Sequence, residues 1–492
     1  MRVALINIMW DTKRLMYIPW LPLGIVYIGT VLEKNGISVK LIDAAAMRWD
    51  VEKILLWIRR IQPDIIGFSA LTLSFISTID LARAIKKENP NVKIVLGHYF
   101  ATLEAENILR KYGDIVDVCV RGEGENSFLA LCQWYERHLD QDPSEIKGIT
   151  YTDRGGKVRS NPDAALEKEI DKIPFPDRKL IDFNYKWNIN GFEIAKTKFT
   201  SMISSRGCPF KCTYCACSKF ARQQWRARSP ENIVEELSIV AGSGYTDVNF
   251  VDDNFTLRSD RVIKICQLIK KERIDINWHV DGRVDQASPE MFSWMHKAGC
   301  RLIWLGFEST SQRVLDIYDK KTKASQFESA IKNVRKGGIE LIVGLFMVGA
   351  PTETVEEMGQ TIHFASRADI DFPIINTVEI YSGPRLWDDA IARGWIRRDD
   401  LVDVTLADGT HRQVERWETA TNLLEVSRPK QEFEMIMKAV SENRRSVFGA
   451  KRLLPLLRSG LRVVKSPYLS RMAGDFISHL PTSMKTITAF RK

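Results

Sequence analysis

The stretch SSRGCPFKCTYC (204–215) puts Cys208, Cys212 and Cys215 within eight residues, and Cys217 follows two positions later. Such a cluster is read as a zinc site, a redox pair, a disulfide knot or an iron–sulfur cradle. The spacing is C-x3-C-x2-C. A structural zinc site usually closes with four ligands from two separated pairs. This chain has no second cysteine pair and no H-x3-5-H run, and Cys217 is close enough to Cys215 to crowd a tetrahedron. A redox pair needs only two thiols at the start of a helix. Three thiolates on a tight loop can instead hold three corners of a [4Fe–4S] cube and leave one iron open.

Working outward, the loop follows a β-type run, "FTSMISS" (199–205), the first of six. The others are "DVNFVDD" (247–253), "INWHVDG" (276–282), "RLIWLGFES" (301–309), "ELIVGLFMVG" (340–349) and "IINTVEIYS" (374–382), with helical patterns between them. Six β/α repeats predict a parallel partial barrel, with functional groups at the carboxyl ends of its strands. Before the loop, "RVALINIM" (2–9), "VKLIDA" (39–44), "DIIGFSAL" (64–71), "VKIVLGH" (92–98) and "IVDVCVRGE" (115–123) are near-continuous apolar runs separated by helices. That pattern predicts a second parallel sheet, covered on both faces in the doubly wound manner. Ligands of such sheets sit beyond the carboxyl ends of the strands. Those ends carry Ser69, Leu71, Thr72, Gly97, His98, Gly122 and Glu123.

The expected division is therefore an α/β chain of four parts. Residues 1–145 form a Rossmann-like domain and 146–196 a linker with a Gly-Gly hairpin. Residues 197–415 form the partial barrel and 416–492 a basic helical region. The net charge of +9 lies almost wholly in residues 451–492, which hold nine Lys or Arg and one acid, Asp475. The rest is near neutral, which argues against a protein-wide nucleic-acid surface. The tail is read as a solvated helix pair or as a basic amphipathic contact with an anionic membrane surface. No signal-peptide pattern and no apolar run of about 18 residues is present, so a cytoplasmic protein with reduced thiols is expected. Cys119, Cys132, Cys266 and Cys300 are isolated and are expected to be buried apolar residues.

The cysteine loop resembles that of the radical S-adenosylmethionine (SAM) enzymes, and the similarity continues along the barrel. "VNFVDDNFT" (248–256), "DGRVD" (281–285), "GFESTSQRVLDIYDKKT" (306–322) and "FMVGAPTET" (346–354) are similar to successive strand-end motifs of that family, Thr352 replacing a usual glycine. "PLGIVYIGTVLEKNGISVKLIDA" (22–44), "IIGFSALT" (65–72), "GHYFAT" (97–102), "VRGEGE" (120–125) and the linker "IPFPDR" (173–178) resemble the cobalamin-binding subclass. The loop after the first strand, "MWDTKRLMYIPWLPLG" (9–24), has no histidine, and His98 is read as a polar corrin contact rather than a cobalt ligand.

The resemblance implies three cofactors: a [4Fe–4S] cluster on Cys208, Cys212 and Cys215, SAM chelated to its open iron, and cobalamin along Ser69, Leu71, Thr72, Gly97, His98, Gly122 and Glu123. It further implies SAM contacts from Tyr214, Asp252 or Asp253, Arg283 with Arg301 as rival, Glu308, Ser309 and Gly349. Cys217 is expected to be a structural thiol. The implied chemistry is reductive cleavage of SAM to a 5′-deoxyadenosyl radical, hydrogen removal from an unactivated carbon, and methyl delivery from the corrinoid. An external flavodoxin- or ferredoxin-type donor would supply electrons, and the substrate would be a small or lipid-like molecule, with no nucleic acid. Cobalamin-dependent ring formation, as in anaerobic cyclases, is the alternative. An RNA methylthiotransferase is a distant one, since it expects three N-terminal cysteines and residues 1–118 contain none.

Overall fold

The computed structural model describes residues 1–8, 20–137, 141–189, 192–195 and 198–398, together with short pieces at 403–406, 411–413, 421–422, 431, 434–435 and 437–438 and at Tyr468. The basic tail and most of the loop after the first strand, with the expectations placed on them, lie outside the described residues.

The N-terminal sheet has strands β1 (Arg2–Asn7), β2 (Ser38–Asp43), β3 (Ile65–Ser69), β4 (Lys93–Gly97), β5 (Val118–Val120), β6 (Ile149–Thr152) and β7 (Val158–Ser160). Its order is β2-β1-β3-β4-β5-β6-β7, the first five strands being parallel. The continuous apolar runs have a direct cause. Val3 and Leu5 of β1 pack into one core with Val26 and Leu131, while Ala4 and Ile6 pack into another with Ile54 and Ile79. Helices therefore cover both faces. The Gly-Gly hairpin does more than link: β6 pairs antiparallel with β5 and extends this sheet.

The second sheet takes β8 (Phe199–Met202), β9 (Asp247–Phe250), β10 (Asn277–Arg283), β11 (Cys300–Glu308), β12 (Leu341–Val348) and β13 (Phe372–Thr377) in chain order, every neighbouring pair parallel. This is the partial (β/α)6 barrel. Local sequence sets the helix starts. Ser-Pro-Glu occurs at 229–231 and 288–290, and each serine hydroxyl caps its helix by accepting from the residue three positions on. Alternate strand residues face the helices (Val248, Phe250, Ile303, Leu305) or the lumen (Leu302, Trp304, Val343, Phe372).

The hairpin at 187–195 fills the lumen around the middle and amino-terminal parts of the strands. Trp187 lies 6.4 Å from Trp304 in a stacked arrangement and 4.5 Å from His279 edge-on. Space for ligands is thus left toward the carboxyl ends. The linker arginine, Arg178, donates to Ser201 O and to the buried Glu236 at 2.7 Å, which docks "IPFPDR" against the barrel. Short antiparallel strands occupy 396–398, 403–406 and 411–413. Among the described residues, no helix is long and apolar enough to cross a membrane.

Candidate cofactor and active site

All three motif cysteines are partly exposed and none is in a disulfide. Their loop is pinned at its centre. Thr213 N donates to Tyr318 O at 2.9 Å, Leu386 N donates to Thr213 O at 2.9 Å, and Cys215 N closes a turn on Cys212 O. Burial, Asp253 and the other two thiols push the Cys208 thiol up to about 11. Burial also raises Cys212, opposed chiefly by the nearby cations Lys320 and Arg283. Neighbouring thiols that resist ionising, as Cys208 and Cys212 do, are donors suited to a polycationic core. Among the described residues no group of three His, Cys, Asp or Glu is gathered tightly enough for a single metal ion.

Arg283, at the end of β10, backs this loop. Its guanidinium stacks 3.7 Å over the Phe210 ring, pairs with Asp285 at 3.0 Å and donates to Lys320 O at 2.7 Å. Glu308 ends β11 at φ +63°, beside a register shift in the β11–β12 pairing. Its carboxylate pairs with Lys320 at 2.7 Å and accepts from the Tyr214 hydroxyl at 3.1 Å. A Cβ on Gly306 would come within 2.6 Å of Glu308 Oε1 and 2.8 Å of Lys320 Nζ, so a side chain there would have to displace this ion pair. Ser309 is buried against the Thr361 hydroxyl. Gly349 sits at φ +95° with its N–H donated to Glu353 at 2.6 Å. Thr352 adopts φ +62°, which accounts for a glycine being usual at that position.

The two adjacent aspartates separate. Asp252 is buried, and its oxygens accept from Ser204 N at 2.7 Å and from the Ser204 and Ser205 hydroxyls. It holds the root of the cysteine loop rather than offering an oxygen to a ligand. Asp253 is exposed, yet desolvation raises its carboxyl, so it faces a recess rather than open solvent. It accepts from Gly207 N at 3.0 Å. Arg301 is not brought to the site. It opens β11, seven residues and so about 23 Å from Glu308, and pairs with Glu340 and Asn277 at the far end of the barrel.

On the other side, Ser69 and Gly97 end adjacent strands in register. A Cβ built on Gly97 or on Gly122 (φ +76°) would meet nothing within 4 Å, so open space lies beyond these ends, in front of the Leu71–Thr72 turn. His98 adopts φ +82° and accepts from Tyr99 N through Nδ1 at 2.8 Å, which leaves the ring proton on Nε2. Burial lowers its pKa to about 4. A neutral, donating imidazole beside open space suits a large amide-rimmed ring. Glu123 is spent differently from the expectation. Both its oxygens accept from Arg226, at 2.5 and 3.1 Å, and Arg206 pairs with Glu125 at 2.6 Å. These acids clamp the sheet to the cysteine loop.

Sequence reasoning missed Lys320, Arg206, Arg226 and Tyr99. Tyr99 follows His98 and packs 4.5 Å from Phe220, just past the cysteines. Cys217 is buried between Cys215, Asp253 and Tyr99, in keeping with a structural thiol. Cys119, Cys132, Cys266 and Cys300 are fully buried. The carboxyl ends of both sheets thus meet at one place.

Residues 202–365 match the radical SAM superfamily and residues 16–132 the B12 binding domain. An uncharacterized methyltransferase of Pyrococcus horikoshii is 34% identical over 372 residues, covering 75% of this chain and 78% of that one. The chain belongs to the cobalamin-binding radical SAM family. Its cofactors are a [4Fe–4S] cluster, SAM and cobalamin. The family also includes an anaerobic magnesium-protoporphyrin IX monomethyl ester cyclase of Cereibacter sphaeroides, 29% identical over 70% of this chain but only 56% of its own length. In fold, the chain is similar to the cobalamin-dependent SAM radical enzyme OxsB solved with aqua-cobalamin and SAM bound. The TM-score is 0.71 at 19% identity, over 97% of this chain and 71% of that one.

Proposed function

We propose that this chain is a C-methyltransferase acting on a small molecule, with the corrinoid as methyl carrier and a SAM-derived radical to activate the carbon. The observation that carries the reading is the meeting of two strand-end edges. Tyr99 and the Glu123/Glu125 clamps of one sheet lie directly against the cysteine loop of the other. A methyl donor and a radical generator placed there would share one substrate.

When bound, the cluster with SAM supplies a 5′-deoxyadenosyl radical and cobalamin a transferable methyl group. The protein's part is to position and to keep dry. Cys208, Cys212 and Cys215 hold the cluster. Asp253 takes the SAM amine, the Arg283–Lys320 pair of cations faces its carboxylate, and Glu308, Tyr214 and the Gly349 turn border the nucleoside. Ser69, Leu71, Thr72, Gly97, His98 and Gly122 would line the corrin, with His98 placed to donate to one of its amides.

The test is loading. Anaerobically reconstituted protein should bind four irons and one corrinoid per chain. Cys208→Ala, Cys212→Ala and Cys215→Ala should each lose the cluster, while Cys217→Ala keeps it. A corrinoid-free protein of full iron content would remove the cobalamin part of the reading.

A further inference from the structure

Tyr99 and Cys217 have no part in the reading above, yet they join its two halves. Cys217 is buried on the short helix Ala216–Phe220, which follows the last motif cysteine directly. Its side chain is hydrogen-bonded with those of Cys215 and Asp253, and the Tyr99 hydroxyl is bonded to it in turn. Tyr99 belongs to the other half, in the helix His98–Leu103 that follows β4. Its ring lies 4.5 Å from Phe220 and 4.8 Å from His98, edge-on to both. That helix is held at each end. His98 Nδ1 takes the Tyr99 amide at its start. At its far end Glu104 accepts from both Arg398 guanidinium nitrogens, at 3.0 and 3.1 Å, and Leu103 packs so closely on Gly383 that a Cβ there would come within 2.4 Å of it. The fold, not the thiol, therefore fixes where the phenol stands.

The direction of these bonds follows from which atoms can give a proton. A Cys215 that binds iron is a thiolate and can only accept. An ordinary thiol keeps its proton at neutral pH, and the bond to Cys215, with burial and Asp253 adding to it, pushes Cys217 further that way. The Cys217 S–H is thus a donor beside the Cys215 sulfur, and the Tyr99 O–H donates to the Cys217 sulfur behind it. A donor aimed at a cluster sulfur stabilises the reduced, more negative cluster and raises its potential. A phenol behind that donor polarises it and strengthens the bond. We infer that Tyr99 and Cys217 are positioning residues that raise the reduction potential of the cluster, a hydrogen-bonded link through which the corrin-binding half sets how readily the radical-forming half takes an electron. The step concerned adds one electron to the cluster from an external low-potential reductant; no covalent bond changes, and both protons stay where they are. The inference rests on the proposed reading in placing the cluster on Cys208, Cys212 and Cys215.

The test needs no turnover. Full-length protein reconstituted with iron and sulfide, without SAM or corrinoid, is poised at a series of potentials with dithionite and mediators, and the reduced cluster is counted by EPR. At the parent's midpoint the ratio of reduced to oxidised cluster should fall about tenfold in Cys217→Ala, which for one electron is about 59 mV. Tyr99→Phe, which removes only the donor behind the thiol, should lower it about threefold. Adding Tyr99→Phe to Cys217→Ala should change nothing further, because Tyr99 acts through the thiol. Cys217→Ser, which keeps a donor of similar size, should recover most of the difference. Iron content should match the parent throughout, whereas a merely structural pair would alter stability or iron content and leave the midpoint in place. An unshifted midpoint in Cys217→Ala, as when its proton is spent on Asp253, would overturn the inference. So would a Tyr99→Phe shift that persists without Cys217, or iron lost from Cys217→Ala, which would make Cys217 a ligand. A Cys215→Ala protein that keeps its full iron content would count against the ligand assignment alone.

Discussion

Lys320→Met tests the account where it is most quantitative. Lys320 and Glu308 pair at 2.7 Å with side chains only 8% and 9% exposed, so solvent screening is small. Removing the cation leaves Glu308 charged, desolvated and held only by the Tyr214 hydroxyl. Breaking a buried pair in this way costs about 3–5 kcal/mol. Adding Glu308→Gln to Lys320→Met removes the stranded charge, and the double variant should regain most of the loss, giving a coupling of about 2–3 kcal/mol. Chemical denaturation followed by tryptophan fluorescence reads the barrel among other parts, since six of the thirteen tryptophans lie in residues 197–415. The same variant frees Tyr214 and Glu308 beside the cysteine loop, so 5′-deoxyadenosine formation should fall on the order of 100-fold, the cost of about 1 Å of misplacement. A Lys320→Met protein as stable as the parent, or a double variant no better than the single, would refute the assignment of this pair as a buried scaffold for the SAM side.

Three further outcomes are expected. Arg226→Met, which leaves Glu123 only its looser pair with Arg206 at 3.5 Å, should lower corrinoid retention several-fold while iron content stays near four per chain, measured on the same preparation. Thr352→Gly should stabilise by at most about 1 kcal/mol, since relief of φ +62° is partly offset by loss of the Thr352 hydroxyl that accepts from Arg313, while the Arg313 bond to the Thr352 carbonyl survives; thermal denaturation reads it. The stability gap between Asp281→Asn and the parent should depend on pH. A carboxyl raised to about 7 from an unfolded value near 4 favours the fold fully below pH 4 and loses that contribution as pH rises through 7. The gap should therefore be widest at pH 8 and vanish near pH 4.

How much was legible follows from which signals are local. Apolar runs of five to nine residues and Ser-Pro-Glu helix starts are local, and the two parallel sheets follow from them. The cysteine loop is local too. Strand direction would have excluded Arg301, since a residue that opens a parallel strand stands at the end opposite the site. Asp252 and Asp253 are indistinguishable as a string. Only the closeness of Ser204 and Ser205 to one of them decides that it anchors and the other faces the recess. Glu123 and Lys320 depend on partners 103 and 12 residues away in sequence, and nothing in "RGEGEN" says that its acids meet arginines of the second sheet.

The central claim is that one site pairs radical generation with methyl transfer. The most direct measurement is parallel quantitation of 5′-deoxyadenosine and S-adenosylhomocysteine from cluster- and corrinoid-loaded protein given SAM, a low-potential reductant and a substrate that turns over. The account expects both, in equal amounts per methylated product. Deoxyadenosine and converted substrate without S-adenosylhomocysteine would contradict it and favour the cyclase type of outcome.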